Sequence, residues 1–199
     1  MHTAWRGDTF DAGPEAEAEA DAAIASLRER GSPSHDGLSA RLASYAVNGA
    51  TLRLELQPAR WALRLAPDAH DSMTVLCVVR RADGRWLAGR RADWVASWAG
   101  RWALGAGGSV EVGEDPVATL ARELREEWSV APAKLTVEAL VRLPSGLVSL
   151  IGLARLAAGA EAVPDAEHDA FAWWPADPDR WPQEALPPLR RVGELLARA

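Results

Sequence analysis

Residues 73–80 read MTVLCVVR, an apolar run interrupted only by Thr74 and ended by Arg80. A strand with one wet face alternates apolar and polar residues; a run that does not alternate is covered on both faces. Such a strand belongs inside a sheet with a layer on each side, and helices are the usual layers. The segments that follow supply the parts. ADGR (82–85) reads as a turn and WLAGRR (86–91) as a second strand. RWALGAGGSVEVGE (101–114) mixes strand residues with glycines, and a helix is expected from about Pro116 to Trp128. KLTVEALVRL (134–143), GLVSLIGLARL (146–156) and DAFAWWP (169–175) read as further strands, and EALPPLRRVGELLARA (184–199) ends in a helix. The repeated RRAD, at 80–83 and 90–93, reads as two strand ends flanking one hairpin. The expected class is α/β in the wide sense that includes α+β, with a mixed central sheet sandwiched by helices.

Ahead of residue 71 the texture differs. Residues 1–13 read as loose chain. PEAEAEADAAIASLRER (14–30) is rich in helix formers, with Pro14 placed to start the helix and Gly31 to stop it. GSPSHDG (31–37) reads as a turn or linker. TLRLELQ (51–57) and RWALRL (60–65) both alternate, with Pro58 between them, and together suggest a hairpin. The division expected is an N-terminal extension, residues 1–70, and a main domain, residues 71–199.

Composition excludes several functions. With 48% hydrophobic residues, a chain of 199 can bury a substantial core. A formal charge of −6 argues against a broad electrostatic footprint for nucleic acid, but local arginines leave a small anionic ligand open. The single cysteine, Cys77, excludes an internal disulfide framework and a multi-cysteine zinc site. Within its apolar run it reads as a buried small side chain. No stretch reaches the roughly 18 apolar residues of a membrane span, and the N-terminus lacks a signal-like apolar core. A soluble, cytoplasmic protein without membrane or nucleic-acid partners is expected. GAGGSV fails as a dinucleotide-binding loop, because Val110 stands where a third glycine is needed. Neither a G-x-S-x-G nucleophile elbow nor a P-loop lysine is present.

The helix over 116–128 carries the chemistry. Asp115 suits the N-cap and Pro116 the first helical position. Val117, Leu120, Ala121, Leu124 and Trp128 form one apolar stripe. Glu123, Glu126 and Glu127 share the neighbouring face at i, i+3 and i+4. Like charges so spaced cost a few tenths of a kcal/mol per pair, and Arg122, four before Glu126, offsets only part of that. Taken alone, this pattern is also that of a solvated charged face. The loop before it changes the balance: Gly105, Gly107, Gly108 and Gly113 lie just upstream, with Glu114 immediately before the cap. Glycines let backbone approach a ligand closely. Hard divalent cations take carboxylates, waters and phosphate oxygens together. A Mg²⁺ ion at this cluster would remove the repulsion and clamp a polyphosphate.

The stretch from Gly108 to Val130 resembles the box of the Nudix hydrolases, G-x5-E-x7-R-E-U-x-E-E-x-G-U, in which U is a bulky aliphatic residue. Gly108, Glu114, Arg122, Glu123, Leu124, Glu126, Glu127 and Val130 match, while Ser129 stands where that family has glycine. A residue there follows the helix and is expected in the left-handed conformation, at a cost for serine of about 1 kcal/mol.

The resemblance implies a Nudix-type α/β/α sandwich and a hydrolase that cleaves a nucleoside diphosphate linked to another moiety by water attack on phosphorus. It implies Glu126 and Glu127 as metal ligands, Glu123 as ligand or general base, and the Gly107 carbonyl as a further ligand. The cation implied is Mg²⁺, with Mn²⁺ as the alternative. Arg122 would orient the glutamates, Glu114 would brace the loop, and Gly108 would lie against the substrate. PDAEHDAF (164–171) offers a later acid; Glu167 is favoured over Asp169, and His168 reads as a surface-loop histidine. Arg90 and Arg91 suit phosphate contacts or a solvated hairpin end equally. Among ten tryptophans, Trp94, Trp98 and Trp102 flank the motif, where they would stack on a nucleobase or pack a core; Trp102 is assigned to substrate.

Pro144, downstream of the box, suits the ADP-ribose branch of the family, in which an N-terminal hairpin often helps to form a dimer. ADP-ribose or a nucleotide sugar is therefore the expected substrate, and a homodimer the expected assembly. The only tyrosine, Tyr45, lies upstream, so the downstream tyrosine of the dinucleoside-polyphosphate branch is missing. The alternatives are a house-cleaning (d)NTP pyrophosphohydrolase and a non-catalytic nucleotide-binding regulatory module. The intact Glu123, Glu126 and Glu127 argue against the module.

Overall fold

The computed structural model describes residues 1–32 and 36–198. The chain forms two compact units: residues 1–75, 109–119 and 140–150 in one, and residues 76–108, 120–139 and 151–199 in the other.

In the first unit a three-stranded sheet is built from β1 (His2–Trp5), β2 (Leu38–Asn48) and β3 (Thr51–Arg60), in the order β1-β3-β2. β1 runs parallel to β3, and β2 antiparallel to it. Two expectations are corrected here. The N-terminal residues are not loose: His2–Trp5 pairs with Arg53 to Leu56, and the amides of Arg6 and Phe10 donate to the carbonyls of Leu56 and Pro58, both at 2.8 Å. The hairpin partner of β3 is also not RWALRL but β2, whose Asn48 faces Thr51 across a turn with Gly49 at φ 58°. Trp61–Leu65 is a 3-10 turn, with Ala62 and Leu63 both fully buried. Adjacent buried residues are incompatible with the alternation of a strand.

Pro58 lies inside β3 without breaking it. Its carbonyl points away from β2, toward Phe10, so its missing N–H faces the same side, beyond the end of β1. No ladder bond is lost there. The helix α1 (Pro14–Glu29) starts and stops as its proline and glycine require, and Arg60 grips its Glu17 at 2.7 Å and Asp21 at 2.6 Å. The linker reading of 31–37 falls partly on residues 33–35, outside the described residues.

The larger sheet comprises β4 (Met73–Arg80), β5 (Trp86–Arg91), β6 (Trp102–Leu104), β7 (Ala106–Ser109), β8 (Lys134–Arg142), β9 (Val148–Arg155) and β10 (His168–Trp174). Its order is β10-β5-β4-β9-β8, with β6 on β5 and β7 on β4. The helices α2 (Pro116–Trp128) and α3 (Pro187–Leu196) complete a mixed α/β fold, as the unbroken apolar run required. β4 is buried from Met73 to Thr74 and at Val75, Cys77, Val78 and Val79. Burial pushes the Cys77 thiol up to about 12, which leaves it protonated and inert.

Trp86, Trp128, Trp174 and Trp181 are buried in the second unit, whereas Trp98 is exposed. Trp86, Trp174 and Trp181 pack together, with Trp181 at 6.0 Å from Trp86 and 5.1 Å from Trp174 between ring centres. Two of these indole N–H groups find carbonyls: Trp86 donates to Ala176 and Trp181 to Pro175. Among the described residues, no helix is long and apolar enough to cross a membrane.

Candidate active site

Helix α2 is held from both its ends. Asp115 Oδ1 accepts the Val117 amide at 2.9 Å, which is the capping bond expected of it. Leu120, Leu124 and Trp128 are fully buried. Gly152 of β9 makes room for Leu120: a Cβ there would lie 2.6 Å from Leu120 Cδ1. The Trp128 indole donates to the Gly105 carbonyl at 2.9 Å, fixing the last turn against the glycine loop. Ser129 then takes φ 53°, the left-handed conformation that ends the helix. Ser129→Gly should therefore raise stability by about 0.5–1 kcal/mol in urea unfolding, the relief of its Cβ being partly offset by backbone entropy.

This seating turns the acidic face inward on one side only. Glu123 and Glu127 are buried, at 9% and 4% exposure, while the Glu126 side chain remains 57% exposed. Gly108 is needed where it stands, because a Cβ would come within 2.1 Å of Glu123 Oε1. The Gly107 amide donates to Glu127 Oε1 at 3.1 Å. Arg122 Nη1 lies between Glu123 Oε1, at 2.8 Å, and Glu126 Oε2, at 2.9 Å. Arg91 Nη1 stands 3.6 Å from Glu127 Oε2, and its Nη2 pairs with Glu167 Oε2 at 2.9 Å. Arg122, Glu123, Glu127, Gly107, Gly108, Arg91 and Glu167 are thus brought together.

The other expected residues lie elsewhere in the pattern. Arg90 is turned to Asp169 in a two-pronged pair at 2.7 and 2.9 Å. Trp102 packs on Trp174, 5.5 Å between ring centres. Glu114 closes a local turn, its N–H donating to the Glu111 carbonyl and its Oε2 accepting the Glu111 amide. His168 is not a surface residue: its side chain is 1% exposed and lies against Trp128. Asp165, which no motif singles out, donates its amide to the Glu127 carbonyl at 2.9 Å. No local signal marks either residue, because both depend on which strands become neighbours.

Burial dominates the electrostatics. It pushes Glu123 up to about 7, against the pull of Arg122, and holds Glu127 well above the usual carboxylate range, against Arg91 and the Gly107 amide. It also draws His168 below the usual imidazole range, with Arg91 acting in the same direction. Both glutamates bind a proton more tightly in the folded than in the unfolded chain. Stability is then greatest below the unfolded value near 4.5 and falls as pH rises. In chelator, the free energy of unfolding should drop on the order of 3 kcal/mol between pH 4.5 and 7 from Glu123 alone. Urea titrations across that range check this, and Glu123→Gln should flatten the slope.

The donors are hard oxygens, the class that Mg²⁺ and Mn²⁺ take, and Gly108 lets the Glu123 carboxylate lie against the glycine loop where a Cβ would displace it. The residues fit such a cation. They are not drawn up as a finished cage: among the described residues no three His, Cys, Asp or Glu groups are clustered to hold a metal, and Arg122 pairs with Glu123 and Glu126.

A family model described as NUDIX domain matches residues 71–190. No curated protein matches the chain. Among solved structures, a MutT NUDIX hydrolase from Burkholderia pseudomallei is similar at 27% identity and a TM-score of 0.53, covering 63% of this chain and 97% of its own. The NUDIX domain of NrtR from Shewanella oneidensis, solved with ADP ribose, is 24% identical with a TM-score of 0.49, covering 63% of this chain and 88% of its own. A MutT/nudix family protein from Enterococcus faecalis is 20% identical with a TM-score of 0.46; the match covers 52% of this chain and 43% of that one. With a family model spanning well over half of its residues and a box of acidic residues folded onto a glycine loop, the chain belongs to the Nudix family and is a Nudix pyrophosphohydrolase.

Proposed function

We propose that this enzyme hydrolyses the pyrophosphate bond of a nucleoside diphosphate linked to a second moiety, with ADP-ribose or a nucleotide sugar as substrate. The observation that carries the reading is the burial of Glu123 and Glu127 beside Gly107 and Gly108, two desolvated carboxylates whose charge is only partly met by arginine. Carboxylates are buried at such a cost mainly where a bound charge repays it. Nudix hydrolases generally use divalent metals. Here Glu123, Glu126, Glu127 and the Gly107 carbonyl would hold Mg²⁺ or Mn²⁺. Such a cation neutralises phosphoryl charge and acidifies a bound water.

The chain's own residues do the rest. Arg122 sets the directions of Glu123 and Glu126, and Arg91 those of Glu127 and Glu167. Water adds to one phosphorus, the bond from that phosphorus to the bridging oxygen breaks, and the second phosphate leaves on that oxygen. The water's proton passes to a carboxylate, Glu123 or Glu167. The substrate class rests on Pro144 and on an N-terminal hairpin, here Leu38–Arg60, which would also be the homodimer contact. Residues 71–199 would be the hydrolase domain and 1–70 its extension, a reading supported by a family match that begins at residue 71.

A panel of ADP-ribose, nucleotide sugars, dinucleoside polyphosphates and (d)NTPs with Mg²⁺ tests this. Release of nucleoside monophosphate from ADP-ribose or a nucleotide sugar is expected. Turnover of (d)NTPs alone would replace the substrate, and tight binding without turnover of any would replace catalysis with a regulatory role. Light scattering in solution tests the dimer, and a monomer at micromolar concentration would defeat it.

A further inference from the structure

We infer that His168 is a positioning residue for Glu127: standing between Asp165 and Glu127, its imidazole fixes the direction of the carboxylate. The inference rests on the reading of Glu127 as a metal ligand.

The ring is one of the most confined polar groups in the chain. Its side chain is 1% exposed, its centre is 4.5 Å from that of Trp128, and Gly89 of β5 opens the space it fills. A Cβ at Gly89 would lie 2.3 Å from His168 Cδ2 and 2.9 Å from Nε2. The inward direction comes from a bulge. Arg91 faces His168 and Arg90 faces Ala170, so Asp169 is the extra residue on β10. A bulge re-aims the side chains beside it. The loop before β10 is strapped to the end of α2 by Val163 N–H to the Trp128 carbonyl and Asp165 N–H to the Glu127 carbonyl, both 2.9 Å. It is strapped to the end of β5 by Ala92 N–H to the Glu167 carbonyl at 2.8 Å.

Nδ1 of the ring faces Asp165 Oδ1 at 3.3 Å. Nε2 faces Glu127 Oε2 at 3.6 Å and, among the described residues, has no hydrogen-bond partner. A buried polar atom left in that state is costly, and core histidines normally find one. The ring is confined by Trp128 and by the backbone at Gly89, so the carboxylate is the partner that closes the gap. Glu127 Oε1 is already bound by the Gly107 amide. Closure on Nε2 would fix the second oxygen and with it the plane of the group. With Glu127 ionised, as a metal ligand must be, the bond is donated by the ring N–H at Nε2 to Oε2. Residues that hold a metal's ligands in this way typically account for 10–100-fold in metal affinity.

The test is a calorimetric titration of Mn²⁺ into the full-length chain and its variants, with melting curves in chelator beside it. His168→Phe keeps an apolar ring against Trp128 and removes both nitrogens; it should weaken Mn²⁺ binding by about tenfold or more. His168→Gln returns an amide near the position of Nε2 and should stay within about threefold of wild type, a rescue that simple packing would not produce. Tight Mn²⁺ binding by His168→Phe, or equal damage in His168→Gln, overturns the inference. Where His168→Phe does not fold, Asp165→Asn reports through the ring's other side: weaker Mn²⁺ binding at an unchanged melting temperature supports the row, and unchanged binding overturns it. If wild type itself takes up no Mn²⁺, the metal reading of Glu127 fails and this inference with it; wild-type binding with undisturbed variants removes this inference alone.

Discussion

Glu127→Gln should lower kcat by at least about 10²–10³-fold, the scale on which removal of a group facing developing charge acts. Glutamine keeps the size of the side chain and an oxygen for the Gly107 amide, so the hydrogen bond at Oε1 survives. What disappears is the charge that faces Arg91 and His168. That charge is desolvated, and in the absence of a cation its removal relieves a cost. The variant should therefore melt in chelator at pH 8 no lower than wild type while losing turnover. A carboxylate retained for structure would give the opposite pair of results: lost stability and retained kcat. Steady-state kinetics with the substrate found by the panel, next to melting curves, separate the two. A variant as active as wild type would remove Glu127 from the site.

The second large effect is on the fold. Gly105→Ala should destabilise by about 3 kcal/mol or more, enough to threaten soluble expression of an ordinary domain. Gly105 sits at φ 57°, and a Cβ there would be 1.9 Å from the Cys77 carbonyl oxygen. Backbone of a central strand, not a yielding side chain, occupies that space. The same glycine donates to the Leu87 carbonyl and accepts the Trp128 indole, so any shift loosens α2 as well. Gly113→Ala is the control. It shares the positive φ, at 84°, but meets nothing within 4 Å, and should cost only about 1 kcal/mol. Urea unfolding of both variants measures the difference, and similar losses in the two would show that the contact at Cys77 does not matter.

How much could be read in advance followed the range of the interaction involved. α2 was legible to both its ends, because its cap, its first-turn proline, its apolar stripe and its terminal Ser129 are signals within a few residues of one another. β4 was legible because a run of eight residues, six of them apolar and not alternating, allows few other fates. β2 was not: LSARLASYAVN is half exposed and takes its conformation from β3, with a register shift between Leu42 and Ser44. RWALRL was misread because an alternating string of five or six residues fits a strand and a short turn equally well until burial distinguishes them. No reading of the sequence singled out Trp86, Trp174 and Trp181 as core, which they become through packing.

The linear sequence by itself settled that three glutamates would share a helix face directly after a glycine loop, since helical spacing and chain adjacency suffice for that. It could not settle which of the three would be desolvated. Glu123 and Glu127 are buried and Glu126 is not because glycines 107 and 108, Arg91 on β5 and the loop ahead of β10 close over one side of α2. Those neighbours are distant along the chain, and only tertiary packing brings them there, which is why the strength of the site's electrostatics, unlike its composition, is a property of the folded molecule.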